Sequence, residues 1–402
     1  MATGSTMGEP GSSPPPVSGS VGTVRSVGTP DVSVCHLLGS LGSGGRETLI
    51  RDLIVHSDSA TSHTICCFRE DGEQAARFAE RGVDVVSVDA SSKRDLRAIG
   101  RLGRVLYRHD FDVLHAHGMN AQVPGRILAR LCGIDSIVST HHGVRELYPE
   151  RLCQFERVTR LLDTATVAVS EGVERSFVGD GNRSQWRTIR NGIDVDGFDA
   201  AVEAADGRAS RRAHGVGPEE TVFLNVGRYV PPKSQTDLVD SLHRVVQQRP
   251  DIHLFIVGGR GPMAPRIRGR VSDRGLDDSV SVTGHVDGIH DYYAAADVFV
   301  SSSVGEGLPI VQLEAMAAEL PVVATDIPGV REVVVEGETG WLVPPNDPSA
   351  LAEAMLAVAA EDTRKGYGRA GYERVREEFH VRDTAASYAS LYRTIATEGG
   401  WR

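Results

Sequence analysis

The sequence predicts an α/β protein that consists of two doubly wound parallel-sheet domains. From Asp31 onward, short and almost continuously apolar runs alternate with amphipathic stretches, which indicates parallel strands covered by helices on both faces. This pattern stops in the polar stretch 196–220 and then starts again. A chain of 402 residues also exceeds one ordinary core, which favours two domains.

The first half, residues 31–195, is predicted to form one domain. A glycine-rich turn after the first strand leads into the helical stretch 46–56, and further helical stretches separate most of the later strands. The predicted strands are VSVCHLL (32–38), HTICCF (63–68), VDVVSV (83–88), FDVLHAH (111–117), DSIVST (135–140) and TATVAVS (164–170).

The second half, residues 196–382, repeats the pattern, and the ligand crevice is expected between the carboxyl ends of the two sets of strands. From its residues alone, the last helical stretch, 382–396, fits against either domain. The predicted strands are TVFLNVG (221–227), IHLFIVGG (252–259), VSVTG (280–284), ADVFVSS (296–302) and LPVVATD (320–326).

Composition excludes several classes of protein. A net charge of −11 argues against nucleic-acid binding through bulk charge. No apolar run approaches the ~18 residues that span a bilayer. Residues 1–30 have no signal-peptide pattern and are expected to be a disordered tail, or an over-called start if translation begins at Met7. Five cysteines without CxxC spacing favour a reduced, cytoplasmic protein.

The turn GSLGSGGRE, residues 39–47, places Gly44 and Gly45 at the start of the first helix. Glycines there let backbone N–H groups approach a phosphate, although a plain glycine-rich turn explains them as well. The turn lacks the GxGxxG spacing of nicotinamide enzymes, and the chain has no GxxxxGK[ST] loop.

Arg228 and Lys233 follow the first strand of the second domain. Two cations at the mouth of a crevice suit a diphosphate, because arginine binds phosphate in a bidentate manner and lysine adds a point charge. The alternative is a solvated pair of charges. Lys233 is one of three lysines, beside Lys93 and Lys365, so its retention here favours the functional interpretation.

The stretch EGLPIVQLE places Glu306 before a predicted helix and Glu314 within it, with Pro309 in the first turn. The N–H groups and dipole of that turn make an anion site. Eight residues of helix separate the two backbones by about 12 Å. Glycosidase carboxyl pairs lie roughly 5–9.5 Å apart, so two separate roles fit better than a catalytic dyad.

His117 ends the strand FDVLHAH and is expected to face the crevice from the first domain. A general base, a contact to a sugar hydroxyl and a structural histidine remain open for it. The chain has no H-E-x-x-H motif or Cys/His set, so no metal site is expected. The strings DFD (110–112) and DVD (194–196) are weak candidates for metal ligands.

A basic stripe lies along the predicted helix after residue 90, in an otherwise acidic protein. The stripe suits an anionic membrane surface, and a solvated outer face is the alternative. Its members are Lys93, Arg94, Arg97, Arg101, Arg104 and Arg108.

Five motifs occur in an order that resembles the family-4 retaining glycosyltransferases, over residues 31 to 395 or so. They are Gly44-Gly45, HAHG (115–118), RNGIDVDGF (190–198), Arg228 with Lys233, and EGLPIVQLEAMAAELPVVATDIPG (306–329). The resemblance implies the GT-B fold, in which two Rossmann-like domains face a cleft. It also implies that residues 383–402 cross back to the first, acceptor-side domain.

The resemblance assigns roles around a nucleoside diphosphate sugar. Arg228 and Lys233 would bind the diphosphate, Glu314 the ribose, and Glu306 hydroxyls of the transferred sugar. Gly44 and Gly45 would close over the diphosphate, and His117 would lie near the C6 hydroxyl of the sugar. The backbone at Gly307, Leu308 and Pro309 would meet sugar and phosphate, and Gly284, His285 and Val286 would surround the base.

Two positions depart from the family pattern. Ser234 stands where a glycine commonly follows the lysine, and GGRGP (258–262) replaces GDGP. Neither departure removes a charge that the resemblance assigns to the donor site.

We therefore expect a cytoplasmic, metal-independent and retaining glycosyltransferase that needs no cofactor. It would move a hexose or N-acetylhexosamine to a glycan, lipid-linked or small-molecule acceptor, with a peripheral position on the inner face of the membrane as an option. The alternatives are a GT-B nucleotide-sugar epimerase or hydrolase, and a catalytically silent sugar-nucleotide-binding protein.

Overall fold

A computed structural model describes residues 31–397 apart from positions 43, 70–72, 93–94, 180, 182, 260 and 360. The predicted tail, Lys93, Arg94 and the last five residues lie outside the described part. The structure confirms two α/β domains, each with a parallel sheet.

The first sheet has the order β3-β2-β1-β4-β5-β6-β7, and every neighbouring pair is parallel. Its strands are β1 (Val32–Leu38), β2 (Thr61–Cys67), β3 (Asp84–Ser87), β4 (Val113–His117), β5 (Ser136–His141), β6 (Ala165–Ala168) and β7 (Trp186–Thr188). Its helices are α1 (Gly45–Val55), α2 (Glu73–Ala79), α3 (Leu96–Arg108), α4 (Met119–Leu131), α5 (Glu150–Thr159) and α6 (Glu171–Val178).

The second sheet has the order β10-β9-β8-β11-β12-β13 and is also parallel throughout. Its strands are β8 (Thr221–Val226), β9 (Ile252–Val257), β10 (Val280–Gly284), β11 (Val298–Ser301), β12 (Val322–Thr325) and β13 (Gly340–Val343). Its helices are α7 (Val195–Glu203), α8 (Gly207–Ala213), α9 (Gln235–Val246), α10 (Ala264–Asp273), α11 (Ile289–Ala295), α12 (Ile310–Ala317), α13 (Pro328–Arg331), α14 (Pro348–Val358) and α15 (Glu361–Glu378).

The central strands are the best-predicted elements, because helices cover both of their faces. All residues of β4, β5 and β9 are buried, which is why they form continuous apolar runs apart from a few histidine, serine and threonine residues. The prediction missed β7 and β13, each of which lies at one edge of its sheet, although the strands at the opposite edges, β3 and β10, were predicted. Arg187 is exposed in the middle of β7, so this short strand carries no continuous apolar run.

The last helix, α16 (Val381–Thr397), packs on the first sheet. Its Tyr388, Tyr392 and Ile395 share a core with Val34 and Val113, so the end of the chain completes the first domain. In each sheet the strand order reverses at a central pair, β1 with β4 and β8 with β11. Ligands of open α/β sheets bind outside the carboxyl ends of such strands, so these two points define the cleft.

Candidate active site

The loops after β8 and β11 are hydrogen-bonded to each other at the cleft. Lys233 lies on a short 3-10 turn, Pro231–Lys233, and the carbonyl oxygen of Pro232 accepts a hydrogen bond from Val304 N at 2.8 Å. The hydroxyl of Ser302 donates to the carbonyl oxygen of Lys233 at 3.0 Å. These bonds bring the lysine of one loop beside the glutamate of the other.

Lys233 and Glu306 form an ion pair. Lys233 Nζ lies 2.6 Å from Glu306 Oε1, and Ser303 Oγ donates to the same oxygen at 2.7 Å. The two side chains are 20% and 15% exposed, so solvent reaches the pair from the cleft. An anion in the cleft can therefore contact Lys233, and Glu306 still accepts the hydrogen bond from Ser303.

Ser234 has left-handed backbone geometry, with a φ of 45°. Such a conformation favours glycine, which explains why glycine suits this position. The hydroxyl of Ser234 donates to Asp237 Oδ2 at 2.8 Å, and Asp237 lies in the first turn of α9. The departure from the family pattern is thus accommodated without moving Lys233 from the cleft.

Gly307 lies where the two domains touch. A Cβ atom on Gly307 would come within 2.2 Å of the carbonyl oxygen of His142, and one on Gly305 within 2.9 Å of Leu147 Cδ2. Ser170 Oγ, at the start of α6, donates to the carbonyl oxygen of Gly307 at 2.8 Å. Only glycine fits between these backbones, so the loop after β11 contacts both walls of the cleft.

Helix α12 begins at Ile310, with Pro309 as the residue that precedes it. The prediction that Pro309 lies inside the first turn is wrong by one position, because its ψ of 103° is extended. Glu314 accepts a hydrogen bond from Tyr293 Oη at 2.8 Å, and burial raises the pKa of both groups. Asp52 also raises the pKa of Glu314, which places the carboxylate opposite α1 of the first domain.

Gly44, Gly45 and Arg46 bring the start of α1 to the cleft. A Cβ atom on Gly45 would lie 3.7 Å from Ile310 Cβ, so α1 begins directly opposite the start of α12. Arg46 donates to Glu47 Oε1 at 2.5 Å, and a Cβ atom on Gly118 would lie 3.2 Å from Arg46 Nη1. The guanidinium of Arg46 therefore lies beside the residue that follows His117.

Arg228 is exposed at the carboxyl end of β8. Burial raises the pKa of Tyr148, and both Arg46 and Arg228 oppose that rise through their charge. The two arginines therefore approach Tyr148 from different domains. The cleft thus carries two arginines and Lys233, with Glu306 beside the lysine.

His117 is buried, with 3% of its surface exposed. Its Nδ1 lies 3.2 Å from His142 Nε2, and its Nε2 lies 3.0 Å from His36 Nδ1. Burial and the charges of neighbouring histidines and Arg46 hold the pKa of His117 well below its usual value. The imidazole is consequently neutral at neutral pH and embedded in a hydrogen-bonded group of histidines.

Gly284 is the last residue of β10, and His285 and Val286 follow it at the carboxyl end of the second sheet. Gly284 has a φ of 86°, and its N–H donates to Tyr229 Oη at 3.1 Å. Tyr229 in turn donates to the carbonyl oxygen of Ile256 at 2.9 Å. The turn after β10 is thereby held next to the residue that follows Arg228.

Two family models match the chain. The model described as "Glycosyltransferase Family 4" matches residues 43–196, and the model described as "Glycosyl transferases group 1" matches residues 220–361. Phosphatidyl-myo-inositol mannosyltransferase of Mycobacterium leprae is 34% identical over 307 residues, which cover 74% of this chain and 78% of that protein. The chain belongs to glycosyltransferase family 4.

Further similarities agree with this assignment. Alpha-maltose-1-phosphate synthase of Mycolicibacterium smegmatis is 32% identical over 71% of this glycosyltransferase and 79% of that protein. The crystal structure of Anabaena HepE in complex with UDP and glucose superposes with a TM-score of 0.80 at 19% identity, and the match covers 90% of this chain and 100% of that chain. This likeness confirms the GT-B fold.

The structure describes four of the six residues of the basic stripe of this glycosyltransferase. Arg97, Arg104 and Arg108 are exposed on α3, whereas Arg101 donates to the carbonyl oxygens of Val88 and Asp89 at 2.7 and 3.0 Å. Arg94 lies outside the described residues. Among the helices that the structure describes, none is long and apolar enough to cross a bilayer.

Sequence reasoning missed Arg46, His36 and His63 in this glycosyltransferase. Arg46 follows directly on Gly45, so a cation beside a glycine-rich turn was an available signal. His36 and His63 carried no such signal, because they lie in separate strands and no spacing links them.

Proposed function

We propose that this glycosyltransferase moves a hexose or an N-acetylhexosamine from a nucleoside diphosphate sugar to an acceptor, with retention of anomeric configuration. The observation that carries the proposal is the placement of Arg228 and the Lys233–Glu306 pair at the switch point of the second sheet. Cations at this edge lie where a leaving diphosphate develops negative charge, which is the most effective place for electrostatic stabilisation.

On the second-domain side, Arg228 and Lys233 bind the diphosphate, and Glu306 accepts from hydroxyls of the sugar. Glu314 accepts from the ribose, and its bond from Tyr293 sets the direction of its carboxylate. The backbone at 307–309 meets sugar and phosphate. Gly284, His285 and Val286 surround the base, since the N–H of Gly284 donates to Tyr229 Oη, one residue after Arg228.

On the first-domain side, Gly44 and Gly45 close over the diphosphate, and Arg46 adds a third cation. His117 contacts the C6 hydroxyl of the sugar. In this proposal residues 31–195 with 383–402 form the acceptor-side domain, and residues 196–382 form the donor domain. HepE, whose complex contains UDP and glucose, supports a sugar nucleotide as the donor.

The reaction needs no protein base in this proposal. The bond between the anomeric carbon and the phosphate oxygen breaks, the bond to the acceptor oxygen forms on the same face, and the acceptor proton passes to the leaving phosphate. Arg228 and Lys233 neutralise the departing diphosphate, so a divalent ion is not required for the transfer. Neither Glu306 nor Glu314 moves a proton.

Release of nucleoside diphosphate that depends on an acceptor tests the proposal. We expect release only when both a donor and a glycan, lipid-linked or small-molecule acceptor are present. Release without any acceptor would favour a hydrolase, and conversion of the donor into its epimer without net release would favour an epimerase. Binding with neither release nor conversion in any acceptor pool would favour a silent binding protein. Each of these results would contradict the transferase assignment.

An anionic membrane surface is the partner that we propose for α3. Helix α3 carries arginines and no acidic residue, although the chain as a whole is acidic. Large apolar side chains are exposed on α3 and on the next two helices: Tyr107 is 76% exposed, Leu131 77% and Phe155 65%. Arginines around exposed apolar side chains suit the interface of an anionic bilayer. The mannosyltransferase relative, whose name contains a phosphatidyl lipid, supports a lipid-linked acceptor.

Charge reversal tests the membrane surface. The variant with Arg97, Arg104 and Arg108 replaced by glutamate should no longer sediment with anionic liposomes. Its matched control replaces the exposed second-domain residues Arg212, Arg266 and Arg376, changes the net charge equally and should still sediment. Equal loss in both variants would show that only bulk charge matters, and unchanged sedimentation of the α3 variant would exclude this surface.

A further inference from the structure

Three buried histidines lie together on one face of the first sheet. His36 on β1 pairs in register with His115 on β4, and His117 follows two residues later on the same face of β4. Their exposed fractions are 0%, 0% and 3%. Parallel register therefore concentrates three imidazoles at the carboxyl end of two neighbouring strands, beneath Tyr392 of α16.

The ring nitrogens have the spacing of a ligand set. Within the part of the chain that the structure describes, one nitrogen from each of His36, His115 and His117 lies within 4.8 Å of the others. His36 Nδ1 and His117 Nε2 are 3.0 Å apart. Two nitrogens on a tetrahedral zinc ion lie roughly 3.3 Å apart, since each Zn–N bond is about 2.0–2.1 Å.

Each of the three histidines also has a hydrogen-bonding partner on its other side. His36 Nε2 lies 2.9 Å from His63 Nδ1, and His117 Nδ1 lies 3.2 Å from His142 Nε2. His115 has Thr140 Oγ1 at 2.7 Å from its Nε2. Metal-binding histidines almost always donate their second ring N–H to an acceptor, usually a carboxylate, a backbone carbonyl or water, which fixes the tautomer and the orientation of the ring. Here two imidazole nitrogens and a hydroxyl oxygen are in that position.

We propose that His36, His115 and His117 bind one transition-metal ion of the zinc class. The ion takes the place of the hydrogen between His36 and His117. Each imidazole stays neutral, with its lone pair directed at the ion and its N–H directed at the outer partner. Tyr392 Oη, 2.6 Å from His115 Nδ1, is an oxygen near the fourth position of a tetrahedron.

The ion would bind Nε2 of His117, the nitrogen that faces His36, and would fix the orientation of the ring. Transfer itself requires no metal in the proposed function, so the ion would take no part in the reaction. If the His117 ring must change its orientation when the sugar binds, zinc should inhibit transfer. This is the one consequence that rests on the proposed function. The binding proposal does not depend on transfer, because its measurements use neither donor nor acceptor.

The test titrates Co²⁺ and Zn²⁺ into the metal-stripped, full-length protein. We expect one ion per chain, visible bands of tetrahedral Co²⁺, and an X-ray absorption spectrum with nitrogen and oxygen neighbours only. Sulfur neighbours would assign the ion to cysteines such as Cys35 and Cys66 and would overturn the proposal. The absence of bound Co²⁺ and Zn²⁺ would overturn it as well.

Substitutions of single histidines test where the ion binds. His36→Gln and His115→Gln should each abolish the Co²⁺ bands, whereas His63→Gln, which removes only an outer partner, should weaken binding about 10–100-fold. The control is His253→Gln, because His253 is also buried but lies in the second domain, with Ser281 Oγ at 2.9 Å from its Nε2. Binding that survives in His36→Gln would contradict the site, and if that variant fails to fold, the absorption spectrum of the unaltered protein decides.

Discussion

The two walls of the cleft are built in different ways. The second-domain wall presents charged side chains on loops, with Lys233 and Glu306 in contact at 2.6 Å and open to solvent. The first-domain wall presents His117, which is buried among other histidines. Both walls carry a cation, since Arg46 lies beside Gly118 on the first-domain side, but only the first-domain wall also holds a buried, neutral imidazole.

This difference teaches how each wall depends on the chain around it. The charged wall depends on two local loops that hydrogen-bond to each other, so a single side chain can be removed without loss of the fold. The first domain also holds a buried polar network on the other face of the sheet, where Ser139 of β5 bonds Arg126 and Asp163 and His141 pairs with Glu156. Variants on that side should therefore affect stability before chemistry.

The largest expected effect is on the first-domain side, at Arg126. Its guanidinium lies 2.7 Å from Asp163 Oδ2 and 3.2 Å from Glu156 Oε1, and all three side chains are at most 1% exposed. Arg126→Met leaves two carboxylates buried without their cation, which should lower the free energy of unfolding by about 3–5 kcal/mol. Urea denaturation measures the change.

Arg130→Met is the matched control, four residues later on the same helix. Arg130 pairs with Asp135 at 2.8 Å, but the two side chains are 34% and 76% exposed. Loss of this ion pair should lower the free energy of unfolding by less than about 1 kcal/mol. Equal effects of the two variants would break the contrast between a buried and a solvated ion pair.

On the charged wall, Lys233→Ala should lower kcat by about 10²–10³-fold, as removal of one group that stabilises a developing negative charge typically does. The melting temperature should change little, because both side chains of the ion pair are reached by solvent. Release of nucleoside diphosphate that depends on both the donor and the acceptor measures kcat. Lys365→Ala, at an exposed lysine of α15, should leave kcat unchanged, and near-full turnover of Lys233→Ala would refute the assigned role.

Acid should weaken the first-domain side through Glu156. Burial raises the pKa of this carboxyl, but His141, Arg126 and Arg160 outweigh burial and lower its pKa to about 2. Because the folded pKa lies below the unfolded value of about 4.3, the stability it contributes is present above that value. This stability, roughly 3 kcal/mol, is lost as the pH falls toward the folded pKa.

Unfolding free energies of the unaltered protein and of Glu156→Gln, measured across that pH range, check this prediction. The difference between the two proteins should shrink as the pH falls. A difference that does not depend on pH would show that the carboxylate charge contributes nothing.

The smallest expected effect is at the contact between the walls. Gly307→Ala places a Cβ atom 2.2 Å from the carbonyl oxygen of His142, so the domains must separate slightly, at a cost of about 1–3 kcal/mol. KM for the donor should rise, because the loop after β11 moves. Gly269→Ala, within α10 and with no atom near its Cβ position, should be neutral or stabilising. Unchanged kinetics of Gly307→Ala would show that this contact does not position the donor loop.

The sequence was sufficient for the fold and for the charged wall, because both are encoded locally. Buried strands form continuous apolar runs, and Lys233, Glu306 and Glu314 lie in short motifs whose order is diagnostic. The ion pair between Lys233 and Glu306 was not predicted, since it depends on hydrogen bonds between loops 70 or so residues apart. The roles assigned to these residues stay predictions.

The histidine wall could not be predicted for a related reason. His36, His115 and His117 come together only through the register of β1 with β4, and a shift of one residue would turn His36 to the other face of the sheet. Register between parallel strands is set by the whole sheet and not by any local motif. The strands β7 and β13 were missed because they have only three and four residues, and the exposed Arg187 also interrupts β7.

Donor binding tests the central claim most directly. A thermal-shift series with UDP-, GDP- and ADP-sugars should show that one nucleotide series raises the melting temperature, because a ligand at 100 times its Kd stabilises the folded state by about 2.7 kcal/mol. The same donor should give no shift with Lys233→Ala. A shift that persists undiminished in Lys233→Ala, or no shift with any of the three series, would contradict the donor site.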